Sequence, residues 1–506
     1  MLVSIAAILL DPADDRSTGK TLHTASIQLL DDYVLLNIFY LYRPVYQYGV
    51  GIDEVGISNW YWWYKLVQIC RRWRRLILGP ASYYLDLCLV CTNRTPVADM
   101  LARFPPLPLI ICHIAPHDRD ITAEDEGIFF ALQQSHRVRH VLLRVPTRNL
   151  KIFTAAIDNE YPELESLVML HPTGDSSTNM SLPKTFSAPH LQRLVLSGFT
   201  FSTGSPLLRT AVGGGLVTLR LYLTHPSAYF QPIILLQSLS LLPQLDELVI
   251  GFSFPVPNRD VERQLLRTPI RTRITLPCLR YFTFQGVSAY LEALVCGITT
   301  PGLEKLGIVF FNQLIFSLPR LLQFMKTTVS LKFHFAEIEF SRAAVRVGLY
   351  PRDEGGKWAF RMDVDCEDLE WQVSCVAEIS NALSQAFSTV EYLTLGVKRG
   401  DLSPDTGERS YEVDSTAWSQ LLSSFANAKT LFVDSPLVAE LSHCLLLEYE
   451  ELPLALLPDL QQLIYSGAAG GDAFKPFIDS RRNSSRPVTL TQISLPPTRF
   501  PEPFIY

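Results

Sequence analysis

Apolar residues follow a helical spacing near the start of this chain. Asp31 stands before the first such segment, where a carboxylate can accept hydrogen bonds from free helix amides, and Pro44 ends the segment. Over 66–77, apolar residues recur at i, i+3, i+4 and i+7, and Gly79 follows them. The pattern predicts two amphipathic helices that pack as a hairpin within 24–80, with a Gly-containing insertion over 44–59 between them.

A different pattern begins near residue 138 and recurs along the chain. Each copy has a turn residue followed by Leu-x-x-Leu-x-Leu, as in PHLQRLVL over 189–196. The leading apolar residues stand at 138, 164, 191, 216, 245, 279 and 303, so the copies lie 24 to 34 residues apart. This form is typical of leucine-rich repeats, in which one copy cannot bury its inner face and neighbours must stack. We therefore predict an α/β fold in which the hairpin precedes an irregular leucine-rich-repeat-like α/β solenoid with parallel strands.

The repeats are irregular in two respects. The Asn or Cys that usually bonds the turn backbone is missing, so other groups must satisfy that backbone. Between 330 and 390 the copies stop, and the sequence predicts a strand–turn–strand insertion and then a helix over 369–387. We expect an N-terminal extension over 1–23, a helical domain over 24–80, the solenoid over 81–470 and a C-terminal tail or cap over 471–506. The alternative is an ordinary α/β domain, since strand–helix alternation also gives βαβ layers.

Two motifs within 24–80 resemble those of the F-box family, in particular the large F-box families of basidiomycete fungi. The family pattern Leu-Pro-Asp/Glu-x-Leu-Leu-x-x-Ile-Phe occurs with Leu30 in place of the proline, and Val-Cys-Arg-x-Trp-Arg-x-Leu is closely matched over 69–76. An aromatic cluster of Trp60, Tyr61, Trp62 and Trp63 replaces the usual Asp-Leu. Such residues could anchor a partner, but we expect them to pack against the hairpin. The resemblance implies that the hairpin core or an adaptor-binding face contains Leu30, Asp32, Leu35, Leu36, Ile38, Phe39, Leu66, Val67, Cys70, Trp73 and Leu76.

The resemblance also implies a function. An F-box protein of this kind is the substrate-recognition subunit of an SCF-type cullin–RING E3 ubiquitin ligase. The F-box would dock the adaptor protein of the ligase, and the repeat region would bind an unidentified protein target. Such a subunit is not an enzyme and needs no cofactor. The alternatives are a non-catalytic interaction scaffold with a degenerate F-box, and a hydrolase-like α/β enzyme, for which the sequence offers no credible Ser/His/Asp set.

Composition and charge fit a folded protein of the cytoplasm or nucleus. Hydrophobic residues make up 48% and charged residues 19% of the chain, which is ample for a large core. The net charge of −6 favours neither nucleic acid nor an anionic membrane as a partner. The nine cysteines are an odd number that suits reduced thiols. The apolar start over 1–10 lacks the basic residues of a signal peptide, and no apolar run reaches the roughly 18 residues of a membrane span.

Three clusters could carry chemistry. Cys88 and Cys91, with Cys112 and His117, have a spacing close to that of zinc ligands, but they stand in an apolar run without a turn, so we expect core cysteines and no metal. The carboxylates at 363 and 365 are expected on a solvated strand face. The arginines at 71, 72, 74 and 75 could contact nucleic acid, but we expect them to solvate the helix and to interact with its C-terminal dipole.

Overall fold

The computed structural model describes residues 30–44, 61–115, 121–122, 125–171, 180–200, 215–224, 229–253, 273–311, 316–328, 333–352, 358–398, 415–451, 456–467 and 472–493. It divides into two compact units, Met1–Cys88 and Leu89–Tyr506. The predicted extension over 1–23, nearly all of the insertion over 44–59 and the end of the predicted C-terminal tail lie outside the described residues.

Within its described residues, 30–44 and 61–88, the first unit contains three α-helices where the sequence predicts two. They are α1 (Asp32–Tyr42), α2 (Trp62–Ile69) and α3 (Arg71–Leu78), followed by a 3-10 helix over Pro80–Leu85. The prediction of one continuous second helix is wrong because Cys70 has an extended backbone, with φ −155° and ψ 167°. Its Sγ accepts a hydrogen bond from the backbone N–H of Trp73 at 3.5 Å and so caps α3.

The second unit is a mixed α/β structure built on one long sheet. The sixteen strands that its described residues form are β1 (Leu89–Cys91), β2 (Leu109–Ile114), β3 (Val138–Arg144), β4 (Ser166–Leu170), β5 (Arg193–Ser197), β6 (Thr218–Leu223), β7 (Glu247–Phe252), β9 (Tyr281–Gly286), β11 (Lys305–Phe310), β12 (Phe335–Phe340), β13 (Ala344–Tyr350), β14 (Phe360–Asp365), β15 (Tyr392–Val397), β16 (Thr430–Val433), β17 (Gln462–Ser466) and β18 (Thr489–Ile493). The short strands β8 (Ile274–Thr275) and β10 (Ile298–Thr299) pair with each other.

Helices alternate with many of these strands. They are α4 (Val97–Arg103), α5 (Glu126–Leu132), α6 (Thr147–Ala156), α7 (Pro232–Leu239), α8 (Ser288–Val295), α9 (Pro319–Thr327), α10 (Leu369–Ala382), α11 (Ser384–Phe387), α12 (Ser415–Ser423), α13 (Val438–Glu451) and α14 (Lys475–Asn483). Two further 3-10 helices span Ser135–Arg137 and Ser435–Leu437. In the part of the chain that the structure describes, no helix is both long and apolar enough to span a bilayer.

The sheet is parallel except around β13. Strands β1 to β7 are neighbours in chain order, followed by β9 and β11. The order then reverses to β14, β13 and β12 before β15, with β13 antiparallel to both of its neighbours. The two strands predicted as an insertion within 330–390 are β13 and β14, and they lie in the sheet itself together with β12, a strand that the sequence did not predict. This placement keeps the sheet continuous, since β14 pairs with β11 and β12 pairs with β15.

The leucines of the repeat form the core of this unit. In the copy over 189–196, Leu191 precedes β5 and is fully buried, while Leu194 and Leu196 alternate along the strand and are at most 2% exposed. The leading leucines of the other copies are buried in the same way: Leu164, Leu216, Leu245, Leu279 and Leu303. The repeat pattern thus marks the residues that stacking removes from water.

Backbone carbonyls replace the missing Asn or Cys at the turns. The carbonyl of Glu165 accepts hydrogen bonds from the N–H groups of Gln192 and Arg193, each at 2.9 Å. In the next copy the carbonyl of Gln192 accepts from Val217 and Thr218, at 2.8 and 3.0 Å. The same double acceptor recurs at Val217, Asp246, Arg280, Glu391 and Lys429. One carbonyl per copy therefore satisfies two amides of the following turn.

Candidate protein-docking surfaces

The start of α1 is fixed by its own sequence. The Asp31 side chain accepts a hydrogen bond from the N–H of Val34 at 2.8 Å, and Asp32 lies in the first turn, where negative charge complements the helix dipole. The helix ends at Tyr42, two residues before Pro44. The predicted boundaries of this helix are confirmed.

One stripe of α1 forms the core of the first unit. Leu35 and Phe39 are four residues apart and are 0% and 1% exposed. The ring of Phe39 meets that of Trp73 edge-on, with 4.8 Å between the ring centroids. Val67 and Ile77 are also buried. These contacts show that part of the predicted adaptor-binding set holds the three helices together.

The aromatic cluster at the start of α2 packs inward where it is described. Trp62 is 7% exposed and Trp63 is fully buried. The indole N–H of Trp63 donates a hydrogen bond to the carbonyl of Cys88 at 3.1 Å, so its polar atom is satisfied. The prediction that the aromatic cluster packs against the helices is confirmed for these two tryptophans, whereas Trp60 lies outside the described residues.

Arginine side chains tie the helices to one another. Arg72 donates to the carboxylate of Asp32 at 2.7 and 3.0 Å and to the carbonyl of Leu30 at 2.6 Å, so it joins α3 to the start of α1. Arg74 donates to the carbonyl of Val67 at 2.9 Å, across the break at Cys70. Two of the four clustered arginines therefore have a structural role between helices, which the sequence did not predict.

The eleven residues predicted to form the hairpin core or the adaptor-binding face differ in their solvent exposure. Leu35, Phe39 and Val67 are buried, whereas Asp32, Ile38 and Cys70 are exposed. The remaining members are half-buried: Leu30, Leu36, Leu66, Trp73 and Leu76. A binding surface can use the exposed and half-buried members, but the buried ones act through the core.

Three apolar side chains form an exposed row on α1. Val34, Ile38 and Leu41 are spaced i, i+4 and i+7, and they are 37%, 37% and 76% exposed. Apolar side chains with this spacing are the anchors by which a helix fills a groove of a partner. We call these three residues the α1 row. Sequence reasoning found only Ile38, because α1 is apolar on most of its circumference and exposure cannot be read from residue type there.

The second unit offers a different surface, on β12, β13 and β15. Phe335 and Tyr392 are cross-strand partners whose rings stack with 5.4 Å between centroids and 12° between planes. Tyr350 meets Phe335 edge-on at 6.5 Å. Tyr392 is 39% exposed. Exposed aromatic residues of this kind often anchor protein interfaces.

An ion-pair network lies on the same side of these strands. Arg346 contacts Glu339 at 3.0 Å and Asp363 at 3.1 Å, and Arg361 contacts Asp363 at 2.8 Å. Burial raises the pKa of Glu339, and the charge of Arg346 opposes that rise. The expectation of a solvated face is wrong for Asp363, because the side chains in this network are only 16–17% exposed.

The cysteine cluster holds no metal-ligand arrangement among the residues described. Cys88, Cys91 and Cys112 are buried, and His117 lies outside the described residues. Within the described ranges, no group of three or more His, Cys, Asp or Glu side chains could hold a metal ion.

No protein-family model and no curated protein matches this chain. One similar solved structure is that of the leucine-rich repeat-containing protein LegL7 from Legionella pneumophila. The two chains are 13% identical, and the match covers 68% of this chain and 96% of that one, with a TM-score of 0.20. Because this TM-score is low, the likeness supports no argument about fold or function, which rest on the residues described above.

Proposed function

We propose that this protein is a non-catalytic substrate receptor of a cullin–RING ubiquitin ligase. In this proposal the first unit docks the adaptor protein of the ligase and the second unit binds a protein target. The observation that supports it best is the α1 row. It lies on the helix whose sequence resembles the first F-box motif, and the buried Phe39 of that helix packs against Trp73, the tryptophan of the second motif.

The physical argument for docking is the exposure of apolar surface. Burying a Val, Leu or Ile side chain against a partner contributes roughly 1.5–3 kcal/mol when it passes from full exposure to full burial. Val34 and Ile38 are already partly covered, so most of the gain would come from Leu41. Asp31 and Arg72 hold α1 in place through the contacts described above, which lowers the entropy cost of binding.

The second unit would supply target recognition. Tyr392 is 39% exposed and stacks on Phe335, on the same side of the sheet as the half-buried ion pairs of Arg346. Tyr350 packs against Phe335 but is only 6% exposed, so it supports this surface from within the core. The mechanism is proximity: binding both the target and the ligase raises the effective concentration of target lysines near the ubiquitin carrier. The protein itself would make and break no bond and would use no cofactor. It would act in the cytoplasm or nucleus, without binding nucleic acid or membrane.

A scaffold that does not bind the adaptor is the second candidate. Leu30 stands where the family has proline, and its carbonyl accepts a hydrogen bond from Arg72. This departure from the family pattern lies four residues before Val34, the first residue of the α1 row. A scaffold would keep the same fold and target surface but would not join the ligase.

Co-purification of the adaptor separates the two candidates. Full-length protein is co-expressed with the adaptor of cullin–RING ligases as wild type, Ile38→Asp, Leu41→Asp and, as a matched control on the other side of α1, Tyr40→Asp. Tyr40 is 50% exposed. If the protein is a receptor, wild type and Tyr40→Asp should retain the adaptor, and Ile38→Asp and Leu41→Asp should lose it. If folded wild-type protein retains no adaptor, the scaffold is the better description.

A further inference from the structure

Three polar side chains lie together on one face of strands β4, β5 and β6. Arg193 on β5 is in register with Ser166 on β4 and with Thr218 on β6. Arg220 follows Thr218 by two residues, so it lies on the same face of the sheet. The alternate residues of these strands, such as Leu194, lie on the opposite face and are buried in the core. We call Ser166, Arg193 and Arg220 the β4–β6 patch.

The ion pair of Arg220 directs its guanidinium group toward Arg193. Arg220 contacts the carboxylate of Glu247 on β7 at 2.7 Å. Glu247 is in register with Thr218, which is in turn in register with Arg193. The guanidinium group of Arg220 therefore lies against the register row that contains Ser166 and Arg193. The pairing of the strands thus brings two guanidinium groups and one hydroxyl group to the same place on the sheet.

Each side chain of the β4–β6 patch has a buried polar atom without a hydrogen-bond partner in the described part of the chain. These atoms are Oγ of Ser166, Nε of Arg193 and Nε of Arg220. Ser166 is 5% exposed and Arg193 is half-buried, and among the described residues Arg193 forms no ion pair. Buried polar groups are costly when they are left unpaired, and most charged of all. Their convergence indicates a site that a ligand completes.

The charges of the patch favour an anion with a single negative charge. Burial and the charge of Arg220 lower the pKa of Arg193, against smaller contributions from Glu247 and Tyr222. An arginine nevertheless stays charged at neutral pH. Arg193 and Arg220 contribute two positive charges and Glu247 contributes one negative charge, so one positive charge is left. One carboxylate balances it, and its two oxygens match the fork of a guanidinium group. A phosphate monoester, with nearly two negative charges, exceeds it.

We propose that the β4–β6 patch binds a carboxylate group of the protein target. Arg193 would donate hydrogen bonds to the carboxylate oxygens, the charge of Arg220 would face them, and the hydroxyl group of Ser166 would donate a further hydrogen bond. This inference rests on the proposed function, in which the second unit binds a protein target. It adds the chemical class of the segment that is bound: a peptide with an Asp or Glu side chain, or with a free C-terminal carboxylate, at this position.

Binding of synthetic peptides to the full-length protein tests the inference. An array presents many ten-residue sequences, each in matched forms with Glu, Gln or phosphoserine at one internal position and with a free carboxylate or an amide at the C-terminus. We expect the Glu form or the free-carboxylate form to bind about tenfold or more tightly than its neutral counterpart. The first result indicates an acidic side chain and the second a chain end. The inference is overturned if no peptide binds, if charged and neutral forms bind equally, or if phosphoserine is preferred.

Substitution of Arg193 tests whether this preference belongs to the patch. Arg193→Met should remove the preference for the carboxylate and leave the weaker binding of the neutral forms unchanged, and Arg193→Lys should restore only part of it, because lysine lacks the fork. Arg280→Met is the matched control, since Arg280 is an exposed arginine that already pairs with Asp246. A preference that survives in Arg193→Met, or that is lost equally in Arg280→Met, would contradict the inference.

Thermal unfolding separates a binding role of Arg193 from a structural one. Arg193→Met removes a half-buried charge without an ion-pair partner among the described residues, so Tm should stay the same or rise. Arg220→Met leaves Glu247 behind without its partner, so Tm should fall. An equal fall in both variants would show that Arg193 is structural and would overturn the inference. Neither assay contains the adaptor, so failure here with adaptor binding intact rejects this inference and not the proposed function.

Discussion

Phe39→Ala should destabilise the first unit and leave the stability of the second unit unchanged. Phe39 is 1% exposed and packs edge-on against Trp73. Replacing a buried phenylalanine by alanine costs about 3–5 kcal/mol, because apolar contacts are lost and a cavity remains. Leu41→Ala is the matched control on the same helix, since Leu41 is 76% exposed and a surface change of this kind costs about 0.5 kcal/mol or less.

Hydrogen exchange reports these costs locally. Each loss of about 1.4 kcal/mol in the stability of the first unit raises the equilibrium constant for its opening tenfold. A loss of about 3 kcal/mol should therefore make amide exchange through this opening about 150-fold faster. The increase should appear in peptides that cover α1 and α3, whereas Leu41→Ala should change them by about twofold or less. Equal exchange in the two variants would refute the assignment of Phe39 to the core. If the assignment holds, charged substitutions at Leu35 or Phe39 cannot test adaptor binding, because they unfold the surface that they are meant to probe.

Three further substitutions test the second unit. Burial raises the pKa of Glu440 from 4.5 to about 7, and the hydrogen bond from Trp418 opposes only part of that rise. The folded state therefore holds the proton more tightly than the unfolded state, so wild type should lose unfolding free energy as pH rises from about 4 to about 8, and Glu440→Gln should remove that loss. Glu292, 1% exposed, accepts two N–H groups from the first turn of α9, so Glu292→Ala should lower the unfolding free energy in a urea titration by about 1–3 kcal/mol. Gly198 has φ +77°, and a Cβ there would lie 2.8 Å from the ring of His171, so Gly198→Ala should lower Tm by several degrees in calorimetry.

An unchanged pH profile in Glu440→Gln would mean that this carboxyl group titrates normally. Wild-type stability in Glu292→Ala would show that water or another acceptor can reach the start of α9. An unchanged Tm in Gly198→Ala would contradict the close approach of His171. Each outcome is read against the wild-type protein measured in the same buffer.

The repeat could be predicted from sequence because a turn residue and three leucine positions recur in the same order in each copy. Leucines such as Leu191 and Leu194 must be buried wherever copies stack, so their positions predict both the strands and the core face. The order of β14, β13 and β12 could not be predicted, because it depends on which distant strands pair. The exposure of side chains along α1 could not be predicted either, because nearly every position of this helix is apolar. Residue type alone does not show that Ile38 is exposed and Leu35 is buried.

The break between α2 and α3 could not be predicted from the sequence for a related reason. Apolar spacing continues in phase across Cys70, from Val67 to Trp73, so the sequence reads as one helix. The interruption depends on a thiol that caps α3 and on the Arg74 side chain that bonds the carbonyl of Val67. Both contacts are formed by side chains that are also common within uninterrupted helices.

Site-specific photocrosslinking tests most directly whether the α1 row contacts the adaptor. Benzoylphenylalanine is placed at Leu41 in the full-length protein or, as a control, at Tyr40, and each protein is irradiated with the purified adaptor. The account predicts a covalent adduct with the adaptor from position 41 and far less from position 40, and loss of the adduct when Ile38→Asp is added. No adduct from position 41, with wild-type folding confirmed by hydrogen exchange, would contradict the claim that the α1 row docks the adaptor.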